Sequence, residues 1–196
     1  MPVLIAGIGA LVLLGSLAGA RHDHIHPVEQ RVFHAINGLP NFLFAVLWLP
    51  MQLGNLVVGT VVGVLVAWAM GELELVIGVL VAAALKLASE RWLRRQMSDY
   101  LEVRQRPGTS QTGAVLRGGD VPASGPSFPS GHVVLVAAVG AVVWTGLPAT
   151  IAWVPWVLAL LVAVGRVYVG AHNPLDVTAG LGMGMAVGGL IDLLLR

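Results

Sequence analysis

The sequence predicts an all-α fold: a six-span transmembrane helical bundle with a functional site at one membrane face. Three observations lead there. Apolar residues make up 57% of the 196 residues and charged residues 11%, against roughly 45–50% and about 25% in soluble domains. Uncharged stretches long enough to cross a bilayer recur along the chain. The polar residues with chemistry to offer fall at the ends of those stretches, on one side.

The composition argues against a soluble monomer, a disordered chain and, with 25 glycines, a collagen. The absence of cysteine excludes a disulfide scaffold, thiol catalysis, iron–sulfur clusters and Cys-ligated zinc. Net charge is +1, from 11 basic and 10 acidic residues. No global field attracts nucleic acid, and none is expected as a partner.

A helix needs about 20 mostly apolar residues to cross a bilayer. The first span covers 2–20, and its n-region has no Lys or Arg, which reads as a retained span rather than a cleaved signal. Arg31 and Glu72 bracket an uncharged stretch too long for one crossing. The turn signal Asn37-Gly38-Leu39-Pro40 and Pro50 divide it into an interfacial piece near 41–50 and a second span near 52–70. The third span is 73–89, with Lys86 near its end. Thr145-Gly146-Leu147-Pro148 separates a fourth span near 131–146 from a fifth near 149–166. The sixth is near 175–194, and the whole chain, 1–196, reads as one membrane-embedded domain. Met183 and Met185 and the glycines around them read as close helix packing. Trp48, Trp144, Trp153 and Trp156 fit an interfacial belt.

Six spans put loops 21–40, 90–130 and 166–174 on one face. The third loop holds Arg104-Gln105-Arg106-Pro107-Gly108 and Phe128-Pro129-Ser130-Gly131-His132; the fifth loop region holds Arg166, His172 and Asp176. Ser130 is placed to cap the fourth span. The unpaired N–H groups of a helix start, with the positive end of its dipole, bind anions. Gly131 lets a ligand approach the backbone. Arg106 and Arg166 supply charges whose fork geometry suits phosphate. In His172-Asn173-Pro174-Leu175-Asp176, Asn173 fits the N-cap and Pro174 the first helical position of the sixth span. Asp176 is then either a first-turn cap or a carboxylate bonded to one His172 ring nitrogen, leaving the other as nucleophile. His132 is a second histidine at this face, suited to general acid catalysis. Ser130 as an ordinary cap and Arg166 as a snorkelling residue are the alternatives.

The spacing resembles the type-2 phosphatidic acid phosphatase superfamily, with its motifs Lys-x6-Arg-Pro, Pro-Ser-Gly-His and Ser-Arg-x5-His-x3-Asp. Pro129-Ser130-Gly131-His132 matches the second in full. Arg166, His172 and Asp176 match the third, with Gly165 in place of its Ser. Arg106-Pro107 matches the end of the first, but Asp99 stands where its Lys belongs. The resemblance covers roughly residues 35–195.

It implies a membrane lipid phosphatase that needs no cofactor and no metal. His172 would attack phosphorus and become phosphohistidine, with Asp176 orienting it and stabilising its charge. His132 would protonate the leaving oxygen, and Arg106, Arg166, Ser130 and Gly131 would hold the phosphate. The substrate would be a lipid phosphate within the bilayer: a polyprenyl phosphate or diphosphate, phosphatidate or phosphatidylglycerol phosphate. The alternatives are a phosphotransferase using the same intermediate and a non-catalytic binder of anionic lipid; a soluble vanadium haloperoxidase shares the motifs but not the spans. For the missing lysine, two substitutes stand open. Arg95 serves if the third span's helix continues toward 103; Lys86 serves if 90–103 is an inserted interfacial helix. The alternating His22, His24 and His26 are a weak metal motif beside the default of a solvated loop. Nine arginines, including Arg21, Arg31, Arg91, Arg94 and Arg117, lie on the site face and only Arg196 on the other. The positive-inside rule would make that face cytoplasmic, whereas the resemblance favours the outer face of the cell membrane, and the outer face is the expectation. The sequence leaves the oligomeric state open.

Overall fold

The structure, a computed structural model, describes residues 1–20, 25–100, 104–119 and 121–196, with 92–100 as backbone. Secondary structure among the described residues is helical: α1 (Pro2–Gly19), α2 (Pro27–Asn37), α3 (Leu43–Met51), α4 (Leu56–Ala69), α5 (Leu73–Tyr100), the single turn α6 (Pro107–Ser110), α7 (Gly131–Trp144), α8 (Val154–Tyr168) and α9 (Pro174–Leu195).

Helix α9 is the axis of the bundle, and its glycines explain why. Glycines 182 and 189 face α1, where an added Cβ would stand 2.8 Å from Gly9 O and from Ala6 N respectively. Glycines 184 and 188 face α7, where a Cβ would come within 2.6 Å of Ala137 Cβ and 2.7 Å of Ala141 Cβ. Small residues let apolar helices approach without a hydrophobic drive between them. A second core joins α4, α5 and α7 through Ala67, Leu75, Val79, Leu135 and Val142. A third joins α2 to α7, α8 and α9 around the fully buried Phe33.

Helices α1 and α9 are long and apolar enough to cross a membrane. Helix α3 with the 3-10 turn Gln52–Gly54 passes the same test together with α4, across a 75° bend. Helices α7 and α8 are apolar but 14 and 15 residues long. The bend lies at Asn55, whose Oδ1 accepts from the backbone N–H groups of Val57 and Val58 and so starts α4 afresh.

Three expectations need correction. The 21–40 segment is not wholly a loop, because Pro27–Asn37 forms α2. Pro27 occupies its first position, the His26 ring accepts from Val28 N, and Phe33 gives it a face to bury. The third span does not stop at 89, because α5 runs on to Tyr100, supported across its exit by the Lys86–Glu90 pair one turn apart. Residues 90–103 are therefore not a separate inserted helix as far as Tyr100. The fifth span starts at Val154 rather than 149, after turns that follow Pro148.

Candidate active site

The start of α7, the turn before α9 and the loop after α5 meet at one end of the bundle. Ser130 N donates to the Asp176 backbone oxygen at 2.9 Å, tying the first turn of α7 to that of α9. Ser127 N donates to Arg104 O, and Arg106 N to Gly125 O, so the loop doubles back on itself. It is fastened to the 171–173 turn from three sides: Arg106 Nη1 donates to Ala171 O at 2.9 Å, Gln111 Nε2 to Asn173 Oδ1 at 2.8 Å, and Asn173 Nδ2 to Gln105 O at 3.2 Å.

His172 is 4% exposed. Its Nδ1 lies 2.8 Å from the Ser127 carbonyl oxygen and 3.8 Å from Asp176 Oδ2. The expected Asp176–His172 hydrogen bond is therefore not made; the carboxylate stands at ion-pair distance. A carbonyl only accepts, so Nδ1 carries the proton and Nε2 keeps its lone pair. Asp176 has other partners. Its Oδ2 accepts from Asn173 N at 2.7 Å, closing the capping box of α9, and its Oδ1 accepts from Arg104 Nε at 2.7 Å. Asp176 thus acts as the first-turn cap and stands near the histidine without bonding to it. Burial pushes the His172 imidazole below its ordinary pKa; Asp176 opposes this, and the Arg166 and Arg106 charges add to it.

Ser130 takes the N-cap position of α7, but its hydroxyl does not cap. The Oγ is buried and has no hydrogen-bond partner among the described residues. His132, half-buried in the first turn, and Arg166, buried in the last turn of α8, line a pocket of ≈ 50 Å³ with Arg117, Gln52, Asn55 and Trp48. Gly54 makes room for His132, since a Cβ there would stand 2.6 Å from His132 Cβ. At Gly131 a Cβ would overlap Glu90 Oε1 and come 3.4 Å from Lys86 Cε, so the Lys86–Glu90 pair lies against the start of α7.

Sequence reasoning missed five groups. Arg104 is 5% exposed and joins Asp176 to Glu29, which donates no charge to the quoted motifs. Burial works against the Arg104 charge, and Asp176 and Glu29 outweigh it, holding the guanidinium above its ordinary pKa. Ser127 contributes a backbone carbonyl, which has no sequence signature. Glu90 stands beside the start of α7. Arg117, treated only as a topology charge, lies over the Tyr168 ring at 4.3 Å and donates to Asn37 O, Tyr168 O and Leu39 O.

Of the histidine triplet, His22 and His24 lie outside the described residues, and His26 caps α2. Among the described residues, no group of three or more His, Asp or Glu could hold a metal. The side chains of Arg95 and Asp99 also lie outside the described residues.

Comparison with known proteins follows the same outline. The bundle superposes on the crystal structure of Aquifex aeolicus LpxE with a TM-score of 0.71 at 23% identity, covering 86% of this chain and 96% of that one. It superposes on a transmembrane PAP2-type phosphatidylglycerolphosphate phosphatase from Bacillus subtilis with a TM-score of 0.69 at 21% identity, covering 95% of each chain. At such identity the likeness is one of fold. In sequence, a decaprenylphosphoryl-5-phosphoribose phosphatase of Mycobacterium tuberculosis is 32% identical over 117 residues, 59% of this chain and 56% of that relative. The chain thus matches little more than half of its relative's length. The model of the PAP2 superfamily matches residues 73–194, which hold Arg106, the Pro129–His132 motif, Arg166, His172 and Asp176. A membrane protein by its apolar helices, the chain belongs to the PAP2 superfamily.

Proposed function

We propose that this chain is a membrane lipid phosphatase that works through a phosphohistidine. The observation that carries the reading is the state of His172: its Nδ1 is committed to the Ser127 carbonyl, and its ring is buried beside the charges of Arg166 and Arg106. Nε2 attacks phosphorus, the bond to the leaving oxygen breaks, and His132 protonates that oxygen. Water then gives a proton to His132 and attacks the phosphohistidine, which releases phosphate and regenerates His172. Arg106, Arg166, Ser130 and the N–H groups at the start of α7 hold the nonbridging oxygens, and Asp176 offsets the charge on the ring. Phosphoryl transfer asks chiefly for such positioning and charge stabilisation.

The lipid part of the reading rests on an apolar groove between α4, α7 and α8. Its volume is ≈ 360 Å³, and it runs from Leu53, beside the Gly54–His132 contact, past Gly140 and Val143 to Leu147. A hydrocarbon chain placed there leaves its headgroup at His132. The proposed substrates are polyprenyl phosphates or diphosphates, the prenyl-linked sugar phosphates that the mycobacterial relative's name suggests, phosphatidate and phosphatidylglycerol phosphate. The site is proposed to face outward from the cell membrane, with the whole chain acting as one domain.

The test is phosphate release by the purified protein from a panel of these lipids in detergent. Wild type is expected to release phosphate from at least one, and His172→Ala to retain less than a few per cent of that rate while eluting and melting as wild type does. Full turnover by His172→Ala would refute the phosphohistidine.

A further inference from the structure

Glu29 has no task in the reaction above, yet it is wired to its centre. It lies in the first turn of α2, 6% exposed. Its Oε1 accepts from Arg104 Nη2 and from Leu175 N in the first turn of α9, the latter at 2.8 Å. Arg104 Nε reaches Asp176 Oδ1, and Asp176 Oδ2 faces His172 Nδ1. Four buried charged or titratable side chains from α2, the loop after α5, α9 and the turn before it thus form one line.

The charge of that line is unusual. One buried guanidinium needs one carboxylate to be neutral, and a second buried carboxylate is costly unless something nearby uses it. Glu29, Arg104 and Asp176 together carry one net negative charge. His172 is neutral at rest. Phosphorylated on Nε2 with its proton kept on Nδ1, the ring becomes cationic, in a place where Arg166 and Arg106 oppose a cation.

We propose that Glu29, acting through Arg104, keeps Asp176 from being neutralised, so that the line holds a net negative charge against the phosphorylated His172 ring. Glu29 is then a positioning residue for the intermediate, contributed by α2. The inference rests on the phosphohistidine reading. A purely structural Glu29, pinning α2 to α9 through Leu175, is the rival.

Charge balance separates the two. Glu29→Gln keeps the side-chain shape and an oxygen for Leu175 N, but brings the line to zero. It is expected to lower kcat roughly 10–100-fold, as loss of groups that orient a reactive ligand does, and to leave KM little changed. The double variant Glu29→Gln/Arg104→Gln returns the net charge to that of Asp176 alone and is expected to recover part of the lost kcat. A structural role predicts the double to be as slow as Glu29→Gln or slower, since it has lost a further ion pair. Thermal unfolding in detergent checks that each variant folds. If the double does not, the single-turnover rate of forming alkali-stable, acid-labile phosphoprotein in Glu29→Gln decides: a slower rate supports the proposal and a wild-type rate overturns it. Wild-type kcat in Glu29→Gln, or a loss that the folded double does not relieve, also overturns it. His172→Ala runs alongside. Turnover by that variant, with no phosphoprotein in wild type, would refute the underlying mechanism instead.

Discussion

The Ser127 carbonyl oxygen stands 2.8 Å from Nδ1 of His172, a full ångström closer than the carboxylate of Asp176. That carbonyl, not the carboxylate, fixes the tautomer of the ring. Ser127 is held in turn by Arg104, whose backbone oxygen accepts from Ser127 N and Ser127 Oγ, both at 3.0 Å. The Arg104 side chain meanwhile holds Asp176. One arginine therefore sets both of the contacts that surround His172.

Stability should depend on Arg104 accordingly. Arg104→Met leaves Glu29 and Asp176 buried and without their shared cation. Removing one partner of a buried ion pair typically costs about 3–5 kcal/mol. Chemical unfolding of the detergent-solubilised variant is expected to show a loss of that order. A loss no larger than that of Glu72→Gln, which removes a half-exposed pair with Arg196 at the other end of the bundle, would contradict it.

The pH profile follows from the burial of His172. A histidine whose pKa is pushed down stays neutral, and so nucleophilic, at pH values where an ordinary histidine is protonated. Activity requiring the neutral ring is present above the folded pKa and is lost as pH falls through it. The acid limb of kcat/KM is therefore expected below the ordinary value of about 6.5. An acid limb above that value in the wild-type protein would contradict the buried, cation-flanked setting.

Parts of this site were legible in the sequence because they are local. Asn173, Pro174 and Asp176 write the start of α9 within four residues, and the cap appears as read. Ser130 and Gly131 mark where α7 starts, although the Ser130 hydroxyl makes no cap bond. Helix α2 was not legible, because 11 residues with one buried face give no spanning signal. Nor was the place of Glu29 legible, because its partners, Arg104 and Leu175, lie 75 and 146 positions away. Arg104 and Arg106 look alike in sequence. Arg104 reaches the Asp176 carboxylate and Arg106 the Ala171 carbonyl, and nothing local in the sequence marks that division. The end of α5 was misplaced because Glu90, Arg91, Arg94 and Arg95 read as a polar loop; a charged helix leaving the bilayer has the same composition.

Orientation can be tested on the same face. Arg104, Arg106, Arg117 and Arg166 are engaged within the fold: Arg104 with carboxylates, Arg106 and Arg117 with backbone carbonyls, and Arg166 buried beside the histidines. Their abundance here thus has a reason other than retention in the cytoplasm. Thr112 is exposed in the same loop, and the chain has no cysteine. A Thr112→Cys variant is expected to react with an impermeant thiol reagent in intact cells. Protection until lysis would place the site inside.

The last prediction concerns the absent lysine of the first motif. Continuation of α5 to Tyr100 puts Arg95 one helical turn, about 5.4 Å, before Asp99. Lys86 lies further back on the same helix, and its side chain, 10% exposed, is packed with Glu90 against Gly131. The Lys86–Glu90 distance is 3.0 Å. A carboxylate beside the start of α7 occupies the kind of place that a phosphate oxygen favours. An arriving phosphate repels Glu90 and attracts Lys86, so the ammonium exchanges one anion for the other. Lys86→Ala is then expected to lower kcat/KM by roughly 10²–10³-fold, the loss found on removing one donor to a developing charge. Glu90→Gln removes the competing anion and should leave kcat/KM unchanged or higher, with a lower KM. Continuation of α5 meets the condition set for Arg95, so Arg95→Ala tests that alternative, and a like loss there would give the role to Arg95. All three are assayed beside Arg106→Ala as the positive control. If Lys86→Ala and Arg95→Ala both keep near wild-type kcat/KM while Arg106→Ala collapses, two arginines and the helix start hold the phosphate without a third cation.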